Sequence, residues 1–193
     1  MRKCFADQCL FGRKTNKGTV LIAIYMDDTL CVGNQDAIDE LKAEIKKYFS
    51  TKEEGILQEY VGCEIIRDGK TKLFMSQQVL LRKLDRIFGE IVSKLPVHKT
   101  PAGTGFRVER CMDNDLRIDP KKQTLYRSGI GMLLFLVKFS RPDIANSVRE
   151  LSKANDGATE KHYRGLLRTI KYVLDTRNKA LKYETTHTLN TVW

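Results

Sequence analysis

The chain has 193 residues, 41% of them hydrophobic, which excludes a wholly disordered segment and allows one core or two small lobes. Its 34 Lys and Arg against 24 Asp and Glu give a formal net charge of +10, which suits a polyanionic partner and equally suits an ordinary basic soluble protein. No apolar run approaches the ~20 residues of a membrane helix, no signal-like region follows Met1, and Cys4, Cys9, Cys31, Cys63 and Cys111 show no Cys-x-x-Cys spacing, so the expectation is a soluble intracellular protein without zinc knuckle or disulfide framework.

In chain order, Cys9 to Arg13 and Thr19 to Tyr25 read as strands joined by the turn Thr15-Asn16-Lys17-Gly18, and Thr29 to Val32 as the antiparallel return. The aliphatic run Val20-Leu21-Ile22-Ala23-Ile24 predicts a buried core strand, with Met26-Asp27-Asp28 at the tip of the hairpin that follows it. Two adjacent carboxylates there have two readings. One is a solvated turn, since Asp is common in turns. The other is a divalent-metal site, because paired carboxylates at low dielectric must protonate unless cations neutralise them, and oxygen-only ligands favour Mg²⁺.

Asn34 is the predicted N-cap of a helix whose buried stripe is Ile38, Leu41, Ile45, Tyr48 and Phe49, with Asp39, Glu40, Lys42, Lys46 and Lys47 on a solvated face. Glu59 to Arg67 and Lys72 to Ser76 predict a second hairpin around Asp68-Gly69. Gly62 inside it marks either a β-bulge or a place where backbone approaches a ligand closely. A helix from Gln77 carries Val79, Leu80, Leu84, Ile87 and Phe88, with Arg82, Lys83 and Arg86 between them.

The stretch from Ser93 to Lys122, with Pro96, Pro101, Gly103, Gly105 and Pro120, reads as an irregular connection between two lobes. Leu125 to Phe139 is helical, with Gly129 and Gly131 suited to close helix packing. A new helix starts at Ser140-Arg141-Pro142-Asp143, with Asp143 favourable at its N-terminus. Thr159-Glu160-Lys161 caps a last helix, buried along Tyr163, Leu166, Leu167, Ile170, Val173 and Leu174. His162 reads as a packing or hydrogen-bonding residue rather than a ligand.

Asp7-Gln8-Cys9-Leu10-Phe11, the strand Val20 to Ile24, Tyr25-Met26-Asp27-Asp28 and Gly33-Asn34 together resemble the catalytic hairpin of a copia-type retrotransposon reverse transcriptase, whose box is Tyr-X-Asp-Asp. Further matches follow in the family's order: Phe49 to Gly55, Tyr60-Val61-Gly62-Cys63-Glu64-Ile65, Ser76-Gln77, Thr100-Pro101, Tyr126-Arg127-Ser128, Arg141-Pro142-Asp143-Ile144, Leu151-Ser152, His162 and Tyr183. The chain departs from the pattern at Asn155-Asp156-Gly157-Ala158-Thr159, where a proline is usual, and at Gly103-Thr104-Gly105-Phe106, which has no counterpart.

The resemblance implies an α+β fold, a partial right-hand polymerase palm of antiparallel hairpins and helices followed by a mainly helical thumb and connection. It divides the chain into residues 1–76 (palm), 77–124 (thumb-like helix and linker) and 125–193 (connection). It implies that Asp27 and Asp28 are catalytic carboxylates of a two-ion Mg²⁺ site and that Tyr25 and Met26 contact nucleotide. Tyr60, Val61 and Gly62 would seat the primer terminus. Lys52 is either a general acid for departing pyrophosphate or a surface residue at a helix end. The implied partners are an RNA or DNA template-primer, deoxynucleotides and other element-encoded proteins, with no membrane.

Only 24 residues precede Tyr25, and the family's third carboxylate lies on a strand well upstream. Asp7, the acid in that stretch, belongs to the strand leading into the hairpin and is not assigned to the role. The expectation is therefore a reverse-transcriptase fragment that is catalytically incomplete alone. The alternatives are a non-catalytic basic module that binds nucleic acid or assembles with element proteins, and a decayed element product.

Overall fold

A computed structural model of the protein describes residues 1–69, 71–109 and 116–184. Cys111 lies outside them. The chain forms two compact units, Met1–Leu57 and Gln58–Trp193.

The first unit is a four-stranded antiparallel meander, β1 (Arg2–Lys3), β2 (Leu10–Thr15), β3 (Gly18–Tyr25) and β4 (Asp28–Gly33), followed by helix α1 (Gln35–Ile45). Asn16-Lys17 is the two-residue turn between the paired Thr15 and Gly18, where Gly18 takes φ +125°, a conformation open to glycine. The pleat sends alternate side chains to opposite faces. One face carries Phe11, Val20, Ile22 and Cys31 onto Ala37, Ile38, Leu41 and Ile45 of α1. On the other, Leu21 and Val32 are directly paired yet 47% and 57% exposed, so β3 is buried on one side only rather than through and through.

Asn34 sits at the N-cap position of α1 without capping it. Its Oδ1 accepts the backbone N–H of Thr19 at 2.9 Å, tying the helix start to β3. The helix also ends earlier than its apolar spacing suggests: Tyr48 and Phe49 donate their N–H groups to the Ile45 carbonyl in a closing turn, and their side chains are exposed. Its polar face is a set of ion pairs, in which Arg13 of β2 reaches Glu40 and Glu44.

The second unit pairs its own sheet, β5 (Glu59–Tyr60), β6 (Cys63–Asp68), β7 (Lys72–Ser76) and β8 (Leu181–Glu184), with helices α2 (Gln78–Ser93), α3 (Pro120–Phe139), a 3₁₀ turn (Pro142–Ile144), α4 (Ala145–Ser152) and α5 (Glu160–Asp175). The last third is mainly helical as expected, and to its helices the structure adds the strand β8: Leu73 pairs with Tyr183 and Met75 with Leu181. The boundary after Leu57 also places the second hairpin with the helices, not with the first sheet as a 1–76 segment would have it.

The helical core gathers Leu84 and Phe88 of α2, Tyr126, Ile130, Leu133 and Leu136 of α3, Val148 and Leu151 of α4, and Leu166, Ile170 and Val173 of α5. The buried stripe of α2 is Leu81, Leu84, Phe88 and Val92, while Val79 is 58% exposed and Leu80 and Ile87 only flank the core. Gly129 matches its expected role, since a Cβ there would meet Leu166 Cδ2 at 3.0 Å and Phe88 Cζ at 3.1 Å. Gly131 does not: nothing lies within 4 Å of that position.

The stretch before α3 is not a link between lobes. Helices on either side of it share one core, Val108 is buried in that core, and the Val108 N–H is received by the buried Glu150 carboxylate at 3.1 Å. Helix α3 starts at Pro120, five residues before its apolar periodicity does, because Asp119 caps it by accepting from the N–H groups of Lys121 and Lys122 and Pro120 suits the first helical position.

Arg141, 2% exposed, forks onto both Asp143 carboxylate oxygens at 2.9 Å and donates to Thr176 Oγ1 at 2.8 Å. Asp143 thus neutralises a buried guanidinium beyond any service to a helix N-terminus. His162 caps α5, its Nδ1 accepting the Thr159 N–H at 3.2 Å in the place of a capping-box carboxamide.

Candidate functional site

The register of β3 against β4 builds the site. Tyr25 pairs with Asp28, leaving Met26 and Asp27 as a two-residue hairpin turn. Met26 has φ +53° and Asp27 is not in the positive-φ region, the pattern of a type II′ turn, which normally takes glycine at its first central position. A methionine there costs about 1 kcal/mol of backbone strain. Its side chain is 84% exposed, so burial does not compensate.

The two acids therefore occupy different backbone environments. Asp27 projects from the turn. Asp28 is the first residue of β4 and, by the pleat, shares the open face of the sheet with Tyr25, Ala23, Leu30 and Val32, away from α1. Tyr25, Met26, Asp27 and Asp28 are all exposed. Among the described residues no group of three His, Cys, Asp or Glu is placed to hold a metal ion.

Lys52 lies after α1, 85% exposed, with its Nζ 2.7 Å from Glu54 Oε1. The hydrogen bond to Glu54 raises its pKa, which makes it a poorer proton donor. In the same segment Glu53 ties the chain back to α1 by ion pairs to Lys46 at 2.5 Å and Lys42 at 3.0 Å, and these two ammonium groups hold its carboxyl at about 2.

Tyr60, Val61 and Gly62 form a second two-residue turn, this time in the second unit. Tyr60 pairs with Cys63, and Val61 and Gly62 both have positive φ, +51° and +70°, the type I′ pattern. The bulge reading of Gly62 does not hold: the glycine is the second turn residue and is there for its φ, and a Cβ at that position would meet only Phe135 at 3.8 Å. A β-branched residue at positive φ is rare, so Val61 is the more unusual of the pair. Cys4, Cys9, Cys31 and Cys63 are free thiols. Among the described residues no helix is long and apolar enough to cross a membrane.

No protein-family model matches the sequence. No solved structure matches it either. Several curated proteins do, three of which follow. It is 26% identical over 184 residues to the retrovirus-related Pol polyprotein from transposon TNT 1-94 of Nicotiana tabacum, covering 93% of this chain and 14% of that protein. It is 30% identical over 186 residues to the retrovirus-related Pol polyprotein from transposon RE1 of Arabidopsis thaliana, covering 96% and 12%. The chain is a relative of retrotransposon Pol polyproteins. A transposon Ty5-1 protein of Saccharomyces cerevisiae aligns at 28% identity over 175 residues, 90% of this chain and 55% of that one. The chain thus spans between about an eighth and about half of the length of these relatives. A transposon-encoded origin accounts for its nearly end-to-end similarity to Pol polyproteins, and within the chain the acid pair at the β3–β4 turn is the feature with chemistry to offer.

Proposed function

We propose that the chain carries the catalytic hairpin of a retrotransposon reverse transcriptase, an RNA-directed DNA polymerase. The observation that supports this most is the Tyr25-Met26-Asp27-Asp28 turn, in which a strained two-residue reversal puts one carboxylate at the tip and the next at the root of an exposed sheet face. A solvated turn has no need of a methionine at positive φ, and Asn or Gly would relieve it. The relatives' description as Pol polyproteins supports the same reading.

Two carboxylates suit Mg²⁺ in kind, since it takes oxygen ligands and commonly binds through one or two carboxylates plus substrate phosphates. They do not make a closed cage, because no third acid joins them among the described residues. Asp27 and Asp28 would hold the ion together with oxygens from outside this set, and the bound ion would polarise a phosphoryl group and neutralise developing charge. Tyr60 and the strained Val61-Gly62 turn are assigned to the primer end, and the exposed Arg82, Lys83 and Arg86 of α2 to the nucleic-acid backbone. Lys52, held by Glu54, is the weakest of these assignments.

The test uses Mn²⁺ as a paramagnetic stand-in. It is expected to broaden the NMR signals of residues around Asp27 and Asp28 at millimolar-range concentration, with loss of the effect in D27N/D28N. Broadening that ignores both residues would remove the metal-site reading and leave a basic binding module. Primer extension on an RNA template by the chain alone is expected to be absent. Vigorous synthesis that depends on Asp27 would show that no further acidic ligand is required.

A further inference from the structure

Net charge is divided very unevenly between the two units. Met1–Leu57 holds nine basic and nine acidic residues, and the remaining 25 basic and 15 acidic residues are all in the second unit, which therefore carries the whole +10. In the first unit Arg13, Lys17, Lys42, Lys46 and Lys52 are each paired with an acid. In the second, Arg117 and Arg127 have no carboxylate within ion-pair distance among the described residues, and both line one open cleft of about 330 Å³ with Gln123, Thr124, Asp156 and Gly157.

The walls of that cleft are fixed from both sides. Gln123 of α3 uses both ends of its amide, donating to the Asn155 carbonyl and accepting from the Ala158 N–H, each at 2.9 Å. The Ile118 N–H donates to the Ala158 carbonyl at 2.9 Å, so residues 117–118 are stitched to the loop 155–158. Arg127 is oriented by one nitrogen only: its Nε donates to the Asn155 carbonyl at 2.7 Å, which leaves the outer edge of the guanidinium unspent. Arg117 lies across Gly157, where a Cβ would sit 3.2 Å from its Nε and Cζ. A Cβ there would push the guanidinium out by a few tenths of an ångström.

We propose that this cleft is a phosphate clamp for nucleic acid, in which Arg117 and Arg127 hold phosphates of one backbone. Two guanidinium groups on one cleft, without a carboxylate partner among the described residues and with Arg127 oriented through its Nε, match phosphate oxygens in geometry and charge, and guanidinium does so better than ammonium. Asp156 on the rim opposes the anion and sets the sign of one of the tests. The clamp shares with the polymerase reading only the need for a nucleic-acid partner. It lies in a different unit from the acid pair, so each can fail without the other.

The experiment measures binding of the full chain to a fluorescein-labelled oligo-thymidine strand and to a mixed-sequence duplex over a salt series. R117Q/R127Q is expected to flatten the slope of log K against log salt by about 1.4 for the single strand and about 1.8 for the duplex, two contacts' worth of counterion release. R117K/R127K keeps the slope. D156N tightens binding roughly fivefold at low salt by removing about 1 kcal/mol of repulsion. G157A weakens binding by displacing Arg117, and circular dichroism checks that each variant folds. If R117Q/R127Q keeps the slope while R82Q/R86Q loses it, the clamp is wrong and the nucleic-acid partner stands. An unchanged affinity in D156N also overturns the clamp, and a parent chain with no salt-dependent binding overturns clamp and partner together. Mn²⁺ broadening at Asp27 and Asp28 still reports on the acid pair in each case.

Discussion

The two units of this protein solve opposite problems. The first is a single sheet covered on one face by one helix, with Val20, Ile22, Ala37 and Leu41 as its fully buried apolar residues and no net charge. The second buries a continuous core from four helices and carries all of the excess positive charge. An acid pair gains from neutral surroundings, because a strongly basic neighbourhood would occupy the carboxylates with ammonium and guanidinium partners. A polyanion-binding surface gains from the reverse. The net charge thus falls in the unit of the proposed clamp and not in that of the acid pair.

The comparison breaks first, if it breaks, at the buried ion pair of the second unit. Arg141→Ala leaves Asp143 without its fork and Thr176 without a donor, and is expected to destabilise this unit by about 3 kcal/mol, the low end for a broken buried pair because Asp143 is 35% exposed. Urea unfolding followed by fluorescence of core tyrosines reports it. Leu41→Ala in α1 is expected to cost about 2–3 kcal/mol and to lower the transition of the first unit alone. A shift of both transitions together would show that the units do not fold independently.

A third test works in the stabilising direction. Val61→Asn puts the residue that type I′ turns prefer before Gly62 and is expected to add about 1 kcal/mol to the second unit while weakening primer binding. Unchanged binding would remove Val61 from the primer site. The smallest effect lies in the first unit. Because the folded Glu53 carboxyl is held at about 2 by Lys46 and Lys42, its contribution is complete above the ordinary glutamate value near 4.5 and fades as pH falls towards 2. NMR titration of Glu53 is expected to show the depressed midpoint, and E53Q to abolish the acid-dependent release of the Phe49 to Gly55 segment from α1.

Patterns carried by neighbours in sequence were readable before any coordinates. The reversal at Asp27 follows from two apolar runs flanking acids, and the stripe of α5 from strict three- and four-residue spacing. The α+β class is met with two antiparallel sheets and five α-helices among the described residues. What escaped depends on partners far away along the chain. Strand β8 is short and polar and exists only because β7 offers an edge. The start of α3 at Pro120 is hidden because an N1 proline looks like a loop when the first turn lacks apolar residues. The Val61-Gly62 turn gives no Asn-Gly signal. The stripe of α2 shifts by a residue because Val79 and Leu80 add apolar character on faces that the core does not use. At the site, the acids were legible as a pair, whereas their split between turn and strand face was set by register. Arg117 sits in no recognisable motif, and it gains meaning only where Gly157 passes beneath it.

The closing strand of the second sheet has a consequence for how the protein is made. Residues Lys72 to Met75 leave the ribosome before helices α2 to α5, and their partners Leu181 to Glu184 leave it after them. Until then β7 is an open edge beside an unfinished core, the kind of non-local pairing that slows folding and invites association between copies. The described strands of the first unit pair only with neighbours in sequence, and none waits for a strand from beyond α1. Within this chain the acid-bearing hairpin is thus made before the second sheet of the charged helical unit can close.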